Sequence, residues 1–426
     1  MRYKKYPNYK DSGVEWLGEI PEHWEVKQGK HIGNILSTPS VSDDNLDEVS
    51  SILYIKVDDL NYVKSTCLTT SKHRVSNDFS SIRGISGFIC FPKRGAAIFT
   101  NKACIVNIKS MIDPNLMGWK IFNKYNKEYI LKLLLVRRLD EIADVSTVPQ
   151  INNKHVEPLK FPIPPKMEQD LIANYLDNAT NKIDTLITKQ KRLIELLKEK
   201  RQALISKAVT RGLDNEHYIW NTYRLDWTSA IVRGNTGFKK DELLNNGKYV
   251  ALQYGKTYKV DEVNKTFNFY VNNEFYKLSQ IVNYGDTILI STSETVKDLG
   301  HSCFYNREDV GLIGGEQILL KPNSKLLDKK YLYYSSKIFS NVLKKYASGL
   351  KVFRFNTDDL KNIFISIPSV EEQKNIANYL DQKTTQIDIL IGKSTKAITL
   401  LQEKRTALIS SVVTGKIDVR GEYEHT

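Results

Sequence analysis

IPPKMEQDLIANYLDNATNKIDTLITKQKRLIELLKEKRQALISKAVTRGLD occupies Ile163 to Asp214, and IPSVEEQKNIANYLDQKTTQIDILIGKSTKAITLLQEKRTALISSVVTGKID occupies Ile367 to Asp418. The two align without a gap at a constant offset of 204 residues, with about 29 of 52 positions identical. Shared blocks include IANYLD (Ile172 to Asp177 and Ile376 to Asp381), EKR (Glu199 to Arg201 and Glu403 to Arg405) and ALIS (Ala203 to Ser206 and Ala407 to Ser410). Self-similarity of this length at a fixed period marks an internal duplication. It divides the chain into a globular segment (1–162), a long helix (163–214), a second globular segment (215–366) and a second long helix with its tail (367–426).

Each copy reads as one helix because apolar residues recur at alternating steps of four and three. In the first copy the seam is Ile172, Leu176, Ala179, Ile183, Leu186, Leu193, Leu197 and Leu204; in the second it is Ile376, Leu380, Ile387, Leu390, Ala397, Leu401 and Leu408. Polar residues share some seam sites, Gln190 with Ser394 and Lys200 with Lys404, and such residues set register or partner choice. Ile163-Pro164-Pro165 and Ile367-Pro368 precede the helices, Ser369 with Glu372 makes a capping-box pattern, and Gly212 and Gly415 mark the stops. About 43 residues per helix span roughly 60 Å. Two such stripes bury each other as a coiled coil. A pseudo-two-fold relation between the halves predicts an antiparallel pair.

The 426 residues, 41% of them hydrophobic, suffice for two or three ordinary cores. The 62 Lys+Arg against 49 Asp+Glu give a formal charge of +13, which favours a polyanionic partner. No apolar run approaches the roughly 20 residues of a membrane span, and Met1 to Lys10 is polar and basic, so a cytoplasmic protein without membrane contact is expected. Cys67, Cys90, Cys104 and Cys303 are widely spaced with no CxxC pair, which predicts buried thiols and no metal site.

The globular segments share little identity but a similar order of elements. In the first, strand-like runs at Gly87 to Phe91, Ala96 to Phe99 and Ala103 to Ile108 precede a helical pattern from Leu116 to Leu139. In the second, Asp286 to Ser291 and Gln317 to Lys321 precede a helical pattern from Lys329 to Tyr346. Each closes with an extended run, Val156 to Ile163 or Leu360 to Ile367. At the same offset this pairs Val156 with Leu360, Leu159 with Ile363 and Phe161 with Ile365. Near-identical helices beside divergent domains suit a shared environment for the helices and a different target for each domain.

No catalytic residues are expected. A DNA methyltransferase needs a glycine-rich cofactor loop and (N/D)PP(F/Y), and the one Pro-Pro, Pro164-Pro165, lies between Ile163 and Lys166. Gly392-Lys393-Ser394 resembles the tail of a phosphate-binding loop, but Ile387 holds the first glycine's place. The seven histidines are scattered without ligand spacing. Glu25-Val26-Lys27 has the ExK spacing of a nuclease without an obvious partner aspartate.

These residues together resemble the specificity (S) subunit of type I restriction-modification systems. YKDSGVEWLGEIPEHWEV (Tyr9 to Val26) resembles that family's opening segment, and FPKRGAAIFTNKACIV (Phe91 to Val106) resembles a strand-loop-strand of its target recognition domain. GDTILISTSE (Gly285 to Glu294) and GGEQILLKP (Gly314 to Pro322) resemble the second domain's counterparts. The second domain departs by opening with WNTYRLDW (Trp220 to Trp227) instead of a copy of GEIPEHW. The resemblance implies an α+β protein: two target recognition domains separated by two long repeated helices packed as an antiparallel coiled coil. It further implies a non-catalytic subunit binding a bipartite double-stranded DNA sequence, one half-site per domain. Two methyltransferase (M) subunits would bring S-adenosylmethionine, and restriction (R) subunits would use ATP and Mg; this chain would bind no cofactor itself. The alternatives are a coiled-coil scaffold whose domains bind protein, and a self-sufficient modification enzyme.

Backbone contacts to DNA come from Lys and Arg in loops, and base readout from Arg, Lys, Asn or Gln. In the first domain the candidates are Lys93 and Arg94 before the Gly95 turn, Asn101 with Lys102, and Gln150 within Ser146 to Ile151. In the second they are Lys297 and His301 around Gly300, and Lys351 with Arg354 in a basic, aromatic-interleaved turn.

Overall fold

The computed structural model describes residues 4–63, 66–76, 84–144, 148–214 and 220–423. The chain forms two compact units, Met1–Gln190 with Lys396–Thr426, and Lys191–Thr395. Each unit therefore takes one globular segment and part of both long helices, so the divisions at 162/163 and 366/367 fall inside the units. Residue 215, where the second globular segment was expected to begin, lies outside the described residues.

The long helices run without a break over Lys166–Arg211 and Val370–Val413. Their ends follow the expected chemistry. The Ser369 hydroxyl accepts from the Glu372 N–H at 3.2 Å, and Gly212 and Gly415 take φ of 78° and 77° just past the last turns. Gly415 is also sterically required, because a Cβ there would lie 2.3 Å from Pro21.

Within the first unit the two helical stretches are antiparallel. The Tyr129 hydroxyl lies 2.9 Å from the Pro162 carbonyl, at the start of the first helix, and 3.1 Å from the Val413 carbonyl, at the end of the second. Further along, Arg405 meets Asp184 at 3.0 Å. The second unit repeats the pattern, with every partner except the tyrosine at the 204-residue offset. There Tyr331 lies 2.8 Å from the Ser366 carbonyl and 3.2 Å from that of Val209, and Arg201 meets Asp388 at 3.4 Å.

One line of the expected seam is right and the other is rotated by a residue. Ile172, Leu176, Ile183, Leu197, Ile376, Leu380, Ile387, Ser394 and Leu408 are buried, and Gln190, Leu204 and Leu401 half-buried. Leu186, Leu193 and Leu390, however, are 47%, 43% and 48% exposed. Lys200 and Lys404 point to solvent as well, and Ala179 and Ala397 are half-buried at best. The second line instead holds Thr180, Ile187, Ile194 and Arg201 in the first helix, and Thr384, Ile391, Ile398 and Arg405 in the second, all buried or half-buried. Polarity hid it. Thr180 and Thr384 satisfy their hydroxyls on the carbonyls of Leu176 and Leu380, and each arginine is neutralised by a carboxylate of the facing helix.

Each globular part holds a five-stranded sheet of the same strand order. In the first unit this is Gly33–Leu36, Leu116–Ile121, Phe88–Pro92, Cys104–Val106 and Cys67–Leu68; in the second, Ser229–Arg233, Gln317–Pro322, Thr287–Ile290, Ser302–Tyr305 and Glu262–Val263. All neighbours are antiparallel except the last pair. The central strand FICFP is buried at every position, the continuous apolar run of a strand covered on both faces. A second, four-stranded sheet in each unit differs between the two in its flanking strands.

Two expected elements take another form. Ala96–Thr100 is a 3₁₀ turn and not a strand, closed by Gly95 (φ 82°) and by Asn101 in the left-handed region (φ 48°). The helical pattern from Leu116 is a strand up to Ile121, and the helix covers only Lys127–Arg137, started by the Asn126 side chain accepting from the Tyr129 N–H. Gly118 decides the first part of that stretch. It costs helix stability and leaves room for Phe88 of the neighbouring strand, 3.1 Å from where a Cβ would sit.

A short pair of strands fixes each globular part to the start of its long helix. Glu25–Gln28 pairs with Lys160–Ile163, and Asn221–Arg224 with Phe364–Ile367. In that register Trp24 corresponds to Trp220, which locates the opening of the second domain that its divergent sequence obscured. Trp24 donates to Glu168 at 3.1 Å, and Trp220 lies near Glu372, 204 residues on from Glu168. Cys90, Cys104 and Cys303 are buried; Cys67 is half-buried, at the sheet's edge strand.

Candidate nucleic-acid interface

In the first unit the central strand Phe88–Pro92 continues into Lys93-Arg94-Gly95, which lies beside Pro149-Gln150-Ile151. The Gly95 N–H donates to the Pro149 carbonyl and the Ile151 N–H to that of Lys93, both at 2.9 Å. Arg94 and Gln150 stand opposite each other. Opposed residues of an antiparallel pair share a face, so the guanidinium and the amide project together. Behind them the Lys93 N–H donates to the Asn115 carbonyl at 2.7 Å. Ser146, at the start of this stretch, lies outside the described residues.

The second unit builds the same bridge. Thr292–Ser293 pairs with Phe353–Arg354, with Thr292 opposite Arg354. The Phe355 N–H donates to the Ser291 carbonyl and the Ser291 N–H to that of Glu316, both at 3.1 Å, repeating the bonds around Lys93. Arg94 thus corresponds to Thr292, Asn115 to Glu316, and Gln150 to Arg354, the last pair at the same 204-residue offset as the helices. Each bridge carries one arginine and one uncharged polar residue, on exchanged strands.

Arg354 exposes 62% of its side chain, with its guanidinium 4.0 Å from the Glu316 carboxylate. Arg233, the last residue of its strand, helps line with Thr292, Glu316 and Arg354 a cavity of about 120 Å³. Arg233 and Glu316 escaped the sequence reading; the signal was an arginine ending an alternating run just before Gly234. Lys351 is exposed on the turn that Ser348 and Arg354 close. That turn needs Gly349, which has φ 123° and lies so near the Val352 carbonyl that a Cβ would come within 2.0 Å.

The structure thus brings together Lys93, Arg94 and Gln150, and in the other unit Lys351 and Arg354. It gives the remaining candidates other partners. Asn101 accepts from the Leu139 N–H at 3.0 Å and donates to the Leu135 carbonyl at 2.8 Å, which ties the 3₁₀ turn to the helix behind it and uses up the amide. Lys102 reaches Asn61 at 2.6 Å. His301 holds the Val260 carbonyl at 2.9 Å, and burial lowers its pKa, which favours the neutral ring as a brace for that loop. Lys297 is exposed on a loop beside it.

Among the described residues no cluster of His, Cys, Asp or Glu is disposed to hold a metal, and no helix is long and apolar enough to cross a membrane.

A duplicated sheet domain carrying the same polar bridge twice, each on a long helix, defines a tandem recognition protein. The profile of the type I restriction modification DNA specificity domain matches residues 21–196 and again 220–399, and the chain belongs to that family of non-catalytic specificity subunits, with two recognition domains. Over 99% of both chains it is 27% identical to a putative type I restriction enzyme MjaX specificity subunit of Methanocaldococcus jannaschii. The EcoBI specificity subunit of Escherichia coli is 22% identical over 71% of this chain and 68% of its own. Among solved structures, a chain from work on complex assembly and conformational transition of the type I R-M system superposes with a TM-score of 0.72, covering 92% of this chain and 98% of that one at 14% identity. The HsdS subunit of Thermoanaerobacter tengcongensis gives 0.54 over 93% and 98% at 15% identity. At these identities the structural likeness speaks for the fold.

Proposed function

We propose that the chain is the DNA-reading subunit of a type I restriction-modification complex, each recognition domain binding half of a bipartite double-stranded sequence. The observation that carries this reading is the repeated bridge: one exposed arginine beside a polar partner, at corresponding places in two domains that otherwise differ. A two-stranded ribbon fits the major groove, and the formal charge of +13 suits the phosphate backbone.

In this reading the long helices set the gap between half-sites and dock two methyltransferase (M) subunits. The exposed leucines favour two copies of one partner, since Leu186 and Leu196 recur at the 204-residue offset as Leu390 and Leu400, all 45% exposed or more. S-adenosylmethionine would be held by the M subunits, and ATP and Mg by restriction (R) subunits. The proposed complex would act in the cytoplasm.

Salt dependence tests DNA binding itself. The purified chain with its cognate M subunits should bind duplex DNA with an affinity that falls steeply, by roughly 10³-fold or more, between about 50 and 200 mM salt. A complex that ignores duplex DNA at low salt would leave a protein-binding scaffold as the function.

A further inference from the structure

We infer that Gln150 and Arg354 each set one base of their half-site, Gln150 an adenine and Arg354 a guanine; the inference rests on the DNA-reading function proposed above. The two residues hold the same place in the same hydrogen-bonded bridge, yet one is a neutral amide and the other a guanidinium. The first domain carries its guanidinium on the opposite strand, at Arg94, so the two domains present different donors and acceptors at this place.

The surroundings separate base from backbone in the second domain. Arg354 shares its cavity with the Glu316 carboxylate, 4.0 Å away. A carboxylate at the mouth repels a phosphate, whereas it accepts from the exocyclic amine of cytosine. Arg354 donating to guanine O6 and N7, with Glu316 turned to the cytosine amine, matches the two edges of one G·C pair. At that 4.0 Å separation the carboxylate leaves the guanidinium donors available, and Arg233, which lines the same cavity, adds positive charge. In the first domain the residue in Glu316's place is Asn115, also exposed and uncharged. Asn115 donates its amide to Asp113 at 2.8 Å, which leaves Gln150 as the amide placed to pair in bidentate fashion with adenine N6 and N7.

Arg94 and Thr292 show the same exchange on the opposite strand. The bridge keeps its backbone and its total of one arginine while the arginine changes strand. That exchange fits two readers tuned to different bases.

The experiment expresses the chain with its cognate M subunits in cells lacking other adenine methylation, and reads the methylated motif for the native chain, Arg354→Gln, Arg354→Lys and Gln150→Arg. Arg354→Gln should replace or relax a single G·C position in one half-site, with roughly 5- to 150-fold lost discrimination there, while the other half-site and the gap stay as they were. Gln150→Arg should alter a single A·T position in the opposite half-site. Arg354→Lys keeps the charge and serves if Arg354→Gln yields no methylation; it should still relax the same position. An unchanged motif in all three variants, or methylation that weakens evenly at every site with the motif intact, overturns the inference and makes these residues backbone contacts. Either result leaves the specificity-subunit function standing, because that depends on the native chain directing a two-part motif at all.

Discussion

The guanidinium of Arg201 lies 3.0 Å from the carboxylate of Asp261, tying the long helix to the recognition domain of its own unit. Asp261 also receives Lys337 at 2.6 Å, and Arg201 also meets Asp388 at 3.4 Å. Arg405, the counterpart of Arg201, has Asp184 at 3.0 Å, but where Asp261 would stand the first unit has Thr66. Removing Arg201 leaves two carboxylates short of a partner and removing Arg405 leaves one. Denaturant unfolding should therefore show a loss of about 1–3 kcal/mol for Arg201→Ala and under about 1 kcal/mol for Arg405→Ala. Equal losses would mean that the extra pairing adds nothing.

The same cluster predicts a pH dependence. Burial works to raise the Asp261 pKa, but Lys337 and Arg201 outweigh it and bring it down to about 2. A depressed carboxylate stabilises the fold fully above its ordinary range, and that contribution fades as pH falls toward 2. Asp261→Asn should therefore lower stability at pH 7 and flatten its decline between roughly pH 4 and 2. An unaltered acid limb, followed by circular dichroism, would count against the assignment.

Tyr129 and Tyr331 each join the two ends of an antiparallel helix pair through one hydroxyl. Tyr129→Phe and Tyr331→Phe should each cost about 1–3 kcal/mol, because a buried carbonyl loses its donor. Hydrogen exchange should localise the effect to the helix ends around Val413 or Val209. A uniform rise across the unit would point to general loosening instead.

Glu168 gathers three donors from the N-terminal segment: Tyr6 at 2.7 Å, His23 at 2.8 Å and Trp24 at 3.1 Å. In Glu168→Ala these lose their acceptor, and amide exchange over residues 4–24 should speed up by about tenfold or more. Protection left intact there would show that the apolar contacts of Ile20 and Trp24 hold the segment unaided.

Leu186 and Leu390 are matched exposed sites on the helices. Under the proposed docking of two M subunits, Leu186→Glu and Leu390→Glu should each remove one of them by native mass spectrometry, and the double variant should remove both. Two M subunits retained on the double variant would place the docking surface elsewhere.

Much of this architecture is legible in the sequence because a 52-residue repeat needs no fold to be seen. The helix seam is half visible in the sequence, since leucines mark a periodicity and Thr180 or Arg201 do not; their burial depends on bonds to Leu176, Asp261 and Asp388 that no periodicity encodes. The strand at Leu116 passed for helix because its apolar spacing suits both, and the neighbouring strand against Gly118 decides it. Of the candidate base readers, Arg94, Gln150 and Arg354 stood out as polar residues in turns. Asn101 and His301 looked the same in sequence, and only their partners, Leu139 and Val260, reveal them as braces. Arg233 and Glu316 come from strand ends far apart in the chain and meet only through the sheet.

Two DNA readers on one chain would leave their mark on a genome exposed to the native chain and its cognate M subunits, read by sequencing the modified bases. The expected result is methylated adenine within a two-part motif whose halves are separated by a constant gap, a gap that changes or is lost when one heptad is inserted in the Lys166–Arg211 helix. A continuous motif, or no motif, would contradict it.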